Sequence, residues 1–267
     1  MLNFCSLYSG SSGNSLFVQT ENTKLLIDAG VSSKKIETAL SNLNVDPSSI
    51  DGILITHEHS DHVAGLGVIS RKYKLPIYGT AATIRAIRSM KSLGAIDDDL
   101  FHVIEPDKDF VLGSLTIHPF HISHDAADPV AYRIENHSSK VAVCTDLGYY
   151  DNYIIENLTG LDAMLLEANH DIHMLEVGAY PYPLKQRILG NYGHLSNEAS
   201  GKLLSQVLHD NVKHVFLGHL SHENNYPDLA YETVRLEVTM DESTPYKGAD
   251  FDITVASRSQ VSQRIVI

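Results

Sequence analysis

A chain of 267 residues with 43% hydrophobic content and no long apolar run can bury a large core and offers no membrane span. Its 20 basic and 33 acidic residues give a net charge of −13, which excludes a broad basic coat for nucleic acid. Two cysteines, Cys5 and Cys144, exclude a disulfide framework, and the opening Met1-Leu2-Asn3-Phe4-Cys5 has neither a basic segment nor a signal-like apolar core, so the expectation is a soluble cytoplasmic protein.

In chain order, Leu2 to Leu7 reads as a strand, Tyr8 to Ser15 as a small-residue loop able to approach a ligand, and Leu16 to Gln19 as a second strand. Lys24 to Gly30 is a third strand ending in a turn, and Ser32 or Ser33 caps a helix to about Leu43. Asp51-Gly52 precedes the short buried strand Ile53-Leu54-Ile55, and a helix runs from Val63 to Tyr73. Pro76 to Tyr78 is a strand and Thr80 to about Ser92 a helix. The middle is β-rich, with strands at Phe101-Ile104, Asp109-Leu112, Leu115-Phe120, Val130-Ile134 and Lys140-Cys144. Beyond it come helix Tyr153-Asn157, strand Ala163-Leu166, helices Pro183-Leu189 and Ser196-His209, strand Lys213-Leu217 and helix Pro227-Met240. A last strand pair spans about Asp252-Ala256 and Gln263-Ile267. No linker or low-complexity tract interrupts the run, so residues 1–267 read as a single domain.

Fifteen histidines are many for this length. Three histidines and an aspartate crowd into Thr56-His57-Glu58-His59-Ser60-Asp61-His62, directly after the buried strand. A tight turn at a strand end points several side chains into one pocket, and imidazole with carboxylate suits transition metals. Asp at position 61 excludes the two-histidine helical zinc motif. His57 and His59 alternate and can hold one ion, while Asp61 and His62 suit a second. Val215-Phe216-Leu217-Gly218-His219 repeats the pattern of an apolar strand ending on histidine, as expected of two related halves. From Val63 to Ile96 there are six basic residues (Arg71, Lys72, Lys74, Arg85, Arg88, Lys91) and no acid, either a local anion-binding patch or a solvated helix face.

The His-x-His-x-Asp-His stretch resembles the signature of the metallo-β-lactamase-fold hydrolases. That resemblance implies an α/β (α+β) αββα sandwich of two mixed sheets with helices outside, and two divalent metal ions, Zn2+ or Mn2+. It also implies further ligands: His124, chosen over His121, before Val130-Ala131-Tyr132-Arg133-Ile134, Asp146 after Val141 to Thr145 as the bridge, and His219. One ion then takes His57, His59, His124 and Asp146, and the other takes Asp61, His62, Asp146 and His219. Leu165-Leu166-Glu167-Ala168-Asn169-His170-Asp171 and Gly193-His194-Leu195-Ser196 are similar to segments of the phosphodiesterase branch, where the glutamate orients the histidine and the histidine serves the scissile phosphate; those roles fall on Glu167 and His194. Nearly the full length, from Ser9 to Asn225, resembles the YycJ/WalJ-type bacterial hydrolases, which implies a 5′→3′ exonuclease on double-stranded DNA linked to repair.

The chemistry implied is two-metal phosphodiester hydrolysis, with Asp61 orienting the nucleophile and His194 protonating the leaving oxygen. Alternatives are a small-molecule or cyclic-nucleotide phosphodiesterase, an RNA nuclease of the same fold, and a non-catalytic binding protein on the same scaffold.

Overall fold

A computed structural model describes residues 1–137 and 139–267, and the chain divides into two compact units. Unit 1 comprises Met1–His121, Ala126–Ser139 and Ser257–Ile267; unit 2 comprises Ile122–Asp125 and Lys140–Ala256.

Unit 1 opens with an antiparallel run, β1 (Asn3–Tyr8), β2 (Ser15–Gln19) and β3 (Lys24–Ile27). The next connections are long enough for crossovers, as parallel pairing requires. Helix α1 (Ser33–Asn42) leads to β4 (Gly52–Leu54), α2 (Ser60–Val63) and α3 (Leu66–Tyr73) lead to β5 (Ile77–Thr80), and α4 (Ala81–Ser89) leads to β6 (Phe101–Ile104). Strands β3 to β6 are parallel neighbours. Parallel strands are covered on both faces, which is why Ile53, Leu54 and Ile55 form an unbroken apolar run and are fully buried. Ile53 and Ile55 pack with Leu26, Ile36, Leu40, Leu66, Ile69 and Ile77 in one core cluster. Strands β7 (Phe110–Leu112), β8 (Leu115–His121) and β9 (Val130–Asn136) form an antiparallel meander. The meander is tied to the β4 end, where the buried Tyr132 hydroxyl donates to the Ile55 carbonyl at 2.8 Å.

Unit 2 is built on parallel strands. In chain order it runs β10 (Ser139–Cys144), α5 (Asn152–Leu158), β11 (Ala163–Glu167), α6 (Ile172–Val177), α7 (Tyr182–Leu189), α8 (Asn197–Val207), β12 (His214–Gly218), α9 (Pro227–Met240) and β13 (Ile253–Val255). Strands β10, β11, β12 and β13 pair in that order, and every residue of β11 and β12 is buried. The chain then returns to unit 1 as β14 (Ile265–Val266), antiparallel beside β1.

Several local expectations change. The final two strands do not pair with each other: β13 joins β12 and β14 joins β1, a choice made by long-range partners. The helix expected over Val63–Tyr73 is two helices, since Gly65 turns its N–H to the Ala29 carbonyl at 2.8 Å. Ser32 precedes α1 without a side-chain cap, and Ser33 instead donates to Glu37 Oε1 at 2.7 Å. Helix α6 was not anticipated; Asp171 caps it, accepting from the Met174 N–H at 2.7 Å. Ser196 caps α8 as expected. No helix among the described residues is long and apolar enough to cross a membrane.

The basic stretch is largely engaged. Lys72 pairs with Glu37, Lys74 with Asp97 and Arg88 with Asp98, while Arg71 donates to the Leu93 and Ala95 carbonyls. These are contacts of a solvated helical face rather than of an open cationic patch.

Candidate metal centre

Unit 1 presents four of the expected residues on the turn after β4. His57 and His62 are fully buried, and His59 and Asp61 are half-buried. The His57 ring lies 4.6 Å from that of His59 and 4.2 Å from that of His62. The turn is organised by Asp28, at the end of β3, which the sequence reading missed. Asp28 is buried and left-handed at φ 61°, a conformation Asp tolerates better than most residues. Its Oδ1 accepts from the Thr56 N–H at 2.9 Å, and its Oδ2 accepts from the Thr56 hydroxyl at 2.8 Å and from His62 Nδ1 at 2.7 Å. With the Thr56 proton given to Asp28, His57 Nδ1 donates to Thr56 Oγ1 at 3.0 Å. Both rings are thereby held with Nε2 as the lone-pair nitrogen, the form that binds metal.

The small-residue loop after β1 braces the same turn. Asn14 N–H donates to the Asp61 carbonyl at 2.8 Å, and Asn14 Nδ2 stands 3.2 Å from His62 Nε2. Gly30 completes the brace: a Cβ there would lie 1.7 Å from the Asp61 carbonyl oxygen. Gly30→Ala must therefore displace the metal turn, and it is expected to destabilise the protein by at least about 1–3 kcal/mol, read as a lowered urea midpoint. Unchanged stability would mean that the turn has another accessible position. Glu58 accepts from the Ala127 N–H at 2.8 Å, so it clamps a neighbouring loop instead of joining the ligands.

Unit 2 presents the other five. His124, Asp146 and His219 are buried, and Asp146 and His219 each leave a strand end in the left-handed region, at φ 60° and 56°. Asp146 Oδ1 lies 3.6 Å from His124 Nε2 and 3.5 Å from His219 Nε2. Two donors about 2.1 Å from one tetrahedral ion stand roughly 3.4 Å apart, so both separations fit shared ions with Asp146 as the common ligand. His124 Nδ1 donates to the Gly193 carbonyl at 3.1 Å, which again leaves Nε2 for metal.

Glu167, the last residue of β11, is a hub. One oxygen accepts from His194 Nδ1 at 2.8 Å and His219 Nδ1 at 2.9 Å, and the other from the Leu147 N–H at 2.8 Å and the Leu195 N–H at 3.1 Å. Burial alone would push its carboxyl up, but the two imidazoles and their hydrogen bonds outweigh that and hold it at about 2, so it stays ionised. It orients two histidines where the sequence reading gave it one. His194 keeps 13% of its side chain exposed against 2% for His219, and its Nδ1 is 3.7 Å from Asp146 Oδ1. His170 is buried and its basicity is depressed to about 4 by desolvation, so it remains neutral.

Neither His118 nor His121 joins these groups. His118 pairs with Asp109, and His121 with Asp107 and Asp128. Cys144 is fully buried, its thiol pushed up by burial and by the Glu167 and Asp146 charges; Cys5 is pushed up to about 12 by burial, with Arg264 opposing. Raised thiol pKa values mean little thiolate at neutral pH. A thiol-reactive chromophore is expected to label neither in the native protein and both after denaturation; rapid native labelling would contradict this packing.

Asp28, Asn14, Glu58 and Asn169, whose Nδ2 donates to the His219 carbonyl at 2.9 Å, are the functional neighbours that sequence reasoning missed. Asp28 had a usable signal, because Leu25-Leu26-Ile27-Asp28 ends an apolar strand on Asp just as Val143-Cys144-Thr145-Asp146 does.

A family model described as the β-lactamase superfamily domain matches residues 23–220. The exodeoxyribonuclease WalJ of Streptococcus pneumoniae is 43% identical over 228 residues, 85% of either chain. The exodeoxyribonuclease YycJ of Bacillus anthracis is 40% identical over 233 residues, 87% of this chain and 88% of the other. Among solved structures, the metallo-β-lactamase fold protein YhfI of Bacillus subtilis superposes with a TM-score of 0.70 at 19% identity, covering 99% of each chain. Zn2+-bound PqqB of Methylobacterium extorquens gives 0.72 at 16% identity, covering 98% of this chain and 100% of the other. The fold is thus two mixed sheets with helices, as the sequence reading expected.

Proposed function

Because this chain belongs to the β-lactamase superfamily, we propose that it is a metal-dependent phosphodiester hydrolase acting as a 5′→3′ exonuclease on double-stranded DNA. The observation that carries this reading is the Glu167 hub, which aligns the partly exposed His194 beside Asp146. Identity of 40–43% to proteins named exodeoxyribonucleases supports DNA as the substrate. We read the whole chain as one domain, since the family model runs through both compact units.

The donor chemistry fits two divalent ions. In unit 2, one ligand atom from each of Asp146, Glu167, His194 and His219 lies within 4.8 Å of the others, and four of the five histidines read as ligands have Nδ1 committed to an acceptor. In our reading His57, His59, His124 and Asp146 hold one ion, and Asp61, His62, Asp146 and His219 the other. The histidine-rich set favours Zn2+, and the carboxylates also accept Mn2+. When bound, the ions supply Lewis acidity toward the phosphodiester and lower the pKa of the attacking water. Asp61 orients that water, while His194, its ring held through Nδ1 by the Glu167 carboxylate, gives a proton to the leaving 3′-oxygen. A cytoplasmic role in DNA repair accords with this activity.

The test is hydrolysis with added Mn2+ or Zn2+ of 5′-phosphorylated duplex DNA, single-stranded DNA, RNA and a bis-aryl phosphodiester, with Asp61→Ala alongside. Release of mononucleotides from the duplex 5′ end, lost in the variant, is the expected result. Cleavage of RNA alone, or of the small diester alone, would overturn it.

A further inference from the structure

Three loops of unit 2 meet beside the ligands. Gly148 N–H donates to the Ser123 carbonyl at 2.7 Å, Ser123 Oγ donates to the Asn191 carbonyl at 2.6 Å, and Asp125 N–H donates to the Tyr192 carbonyl at 3.2 Å. A Cβ on Gly148 would lie 2.1 Å from the Asn191 carbonyl oxygen and 2.7 Å from Gly193 N, so the Gly148 backbone rests directly on the 191–193 segment. Each loop delivers one residue to the metal-side cluster: His124, Asp146 and His194. Two of them also carry an exposed aromatic ring, Tyr149 three residues after Asp146 and Tyr192 two residues before His194. Their exposures are 46% and 65%. Among the described residues neither phenol has a hydrogen-bond partner or a ring contact. Two tyrosines left on touching loops, next to the expected reaction centre, do not serve the core.

Charge leaves a gap that such rings can fill. The chain carries −13, and the basic residues Lys72, Lys74 and Arg88 are already paired with acids. A nucleic-acid enzyme with this net negative charge gains from a sequence-independent contact that does not depend on cations. Stacking of bases on aromatic side chains is one, since every base has a π-face.

We propose that Tyr149 and Tyr192 form a stacking platform for the terminal nucleobase of the DNA strand being degraded, an assignment that rests on the nuclease reading above. The platform holds the departing nucleotide out of the duplex stack and places its phosphodiester beside His194 and Asp146. Both tyrosines are positioning residues: they touch substrate away from the bond that breaks.

The experiment uses the full metal-loaded chain with Tyr149→Ala, Tyr192→Ala and the two Tyr→Phe variants. Steady-state kinetics on 5′-phosphorylated duplex DNA are combined with fluorescence of a 5′-terminal 2-aminopurine in a phosphorothioate duplex. Each alanine variant is expected to raise KM about 5- to 10-fold with kcat within about twofold, and to lose the 2-aminopurine quenching; the size follows from base–aromatic stacking. The phenylalanine variants should restore both, which a purely structural role of the hydroxyls or loops would not. If wild type degrades DNA while the alanine variants keep its KM and quenching, the platform is wrong and the nuclease reading stands. If wild type does not degrade DNA at all, the nuclease reading falls, and the platform with it.

Discussion

Replacing His194 by alanine is expected to lower kcat on DNA about 10²- to 10⁴-fold, the range for loss of a positioned general acid. The loss should depend on the leaving group. A 3′-alkoxide cannot depart without a proton, whereas p-nitrophenolate can, so the same variant should lose far less on bis(p-nitrophenyl) phosphate. Metal content should hold, because the His194 ring sits at the exposed edge of the cluster, 13% exposed against 2% for His219. Equal losses on both substrates, with metal released, would make His194 a ligand instead. The neighbouring imidazoles hold the Glu167 carboxyl below the usual carboxylate range against the push of burial, so Glu167 serves as the acceptor that orients the ring.

Asp28→Asn is the second large effect. The substitution is nearly isosteric, yet it reverses the two hydrogen bonds made to Oδ2, from the Thr56 hydroxyl and from His62 Nδ1. Asn can still accept from the Thr56 N–H, but the atom facing His62 Nδ1 then becomes a donor. His62 must move its proton to Nε2, and that nitrogen is then lost to the metal. Metal affinity is expected to fall about 10- to 100-fold, the usual scale for a carboxylate that orients a ligating histidine. Calorimetric titration of metal-stripped protein with Zn2+ would read it. Unchanged affinity would show that His62 does not bind through Nε2 or does not bind at all.

These two residues mark what could and could not be read along the chain. His57, His59, Asp61 and His62 were legible because a strand and its turn are local. The family resemblance pointed to Asp146 and His219, and the local pattern agrees, since each follows an apolar run buried on both faces. Family resemblance then chose His124 over His121, and the structure sets His121 among Asp107 and Asp128 instead.

The orienting contacts were not legible in this way. Asp28 and His62 are 34 residues apart, and Glu167 reaches His194 and His219 across 27 and 52. No local pattern states that one carboxylate oxygen will serve two imidazoles; that follows from which strands lie side by side. The same holds for the basic residues of α3 and α4, whose acid partners Glu37, Asp97 and Asp98 lie on other segments. The sequence by itself determined the candidate ligand types on the turn after β4 and the strand ends that carry them, because backbone periodicity and burial are short-range properties. Tertiary structure alone decided which side chain holds each ring in its metal-binding tautomer, which charges are neutralised, and that Tyr149 and Tyr192 come out on touching loops, because hydrogen-bond geometry and close backbone approach depend on distant segments meeting within a few ångströms.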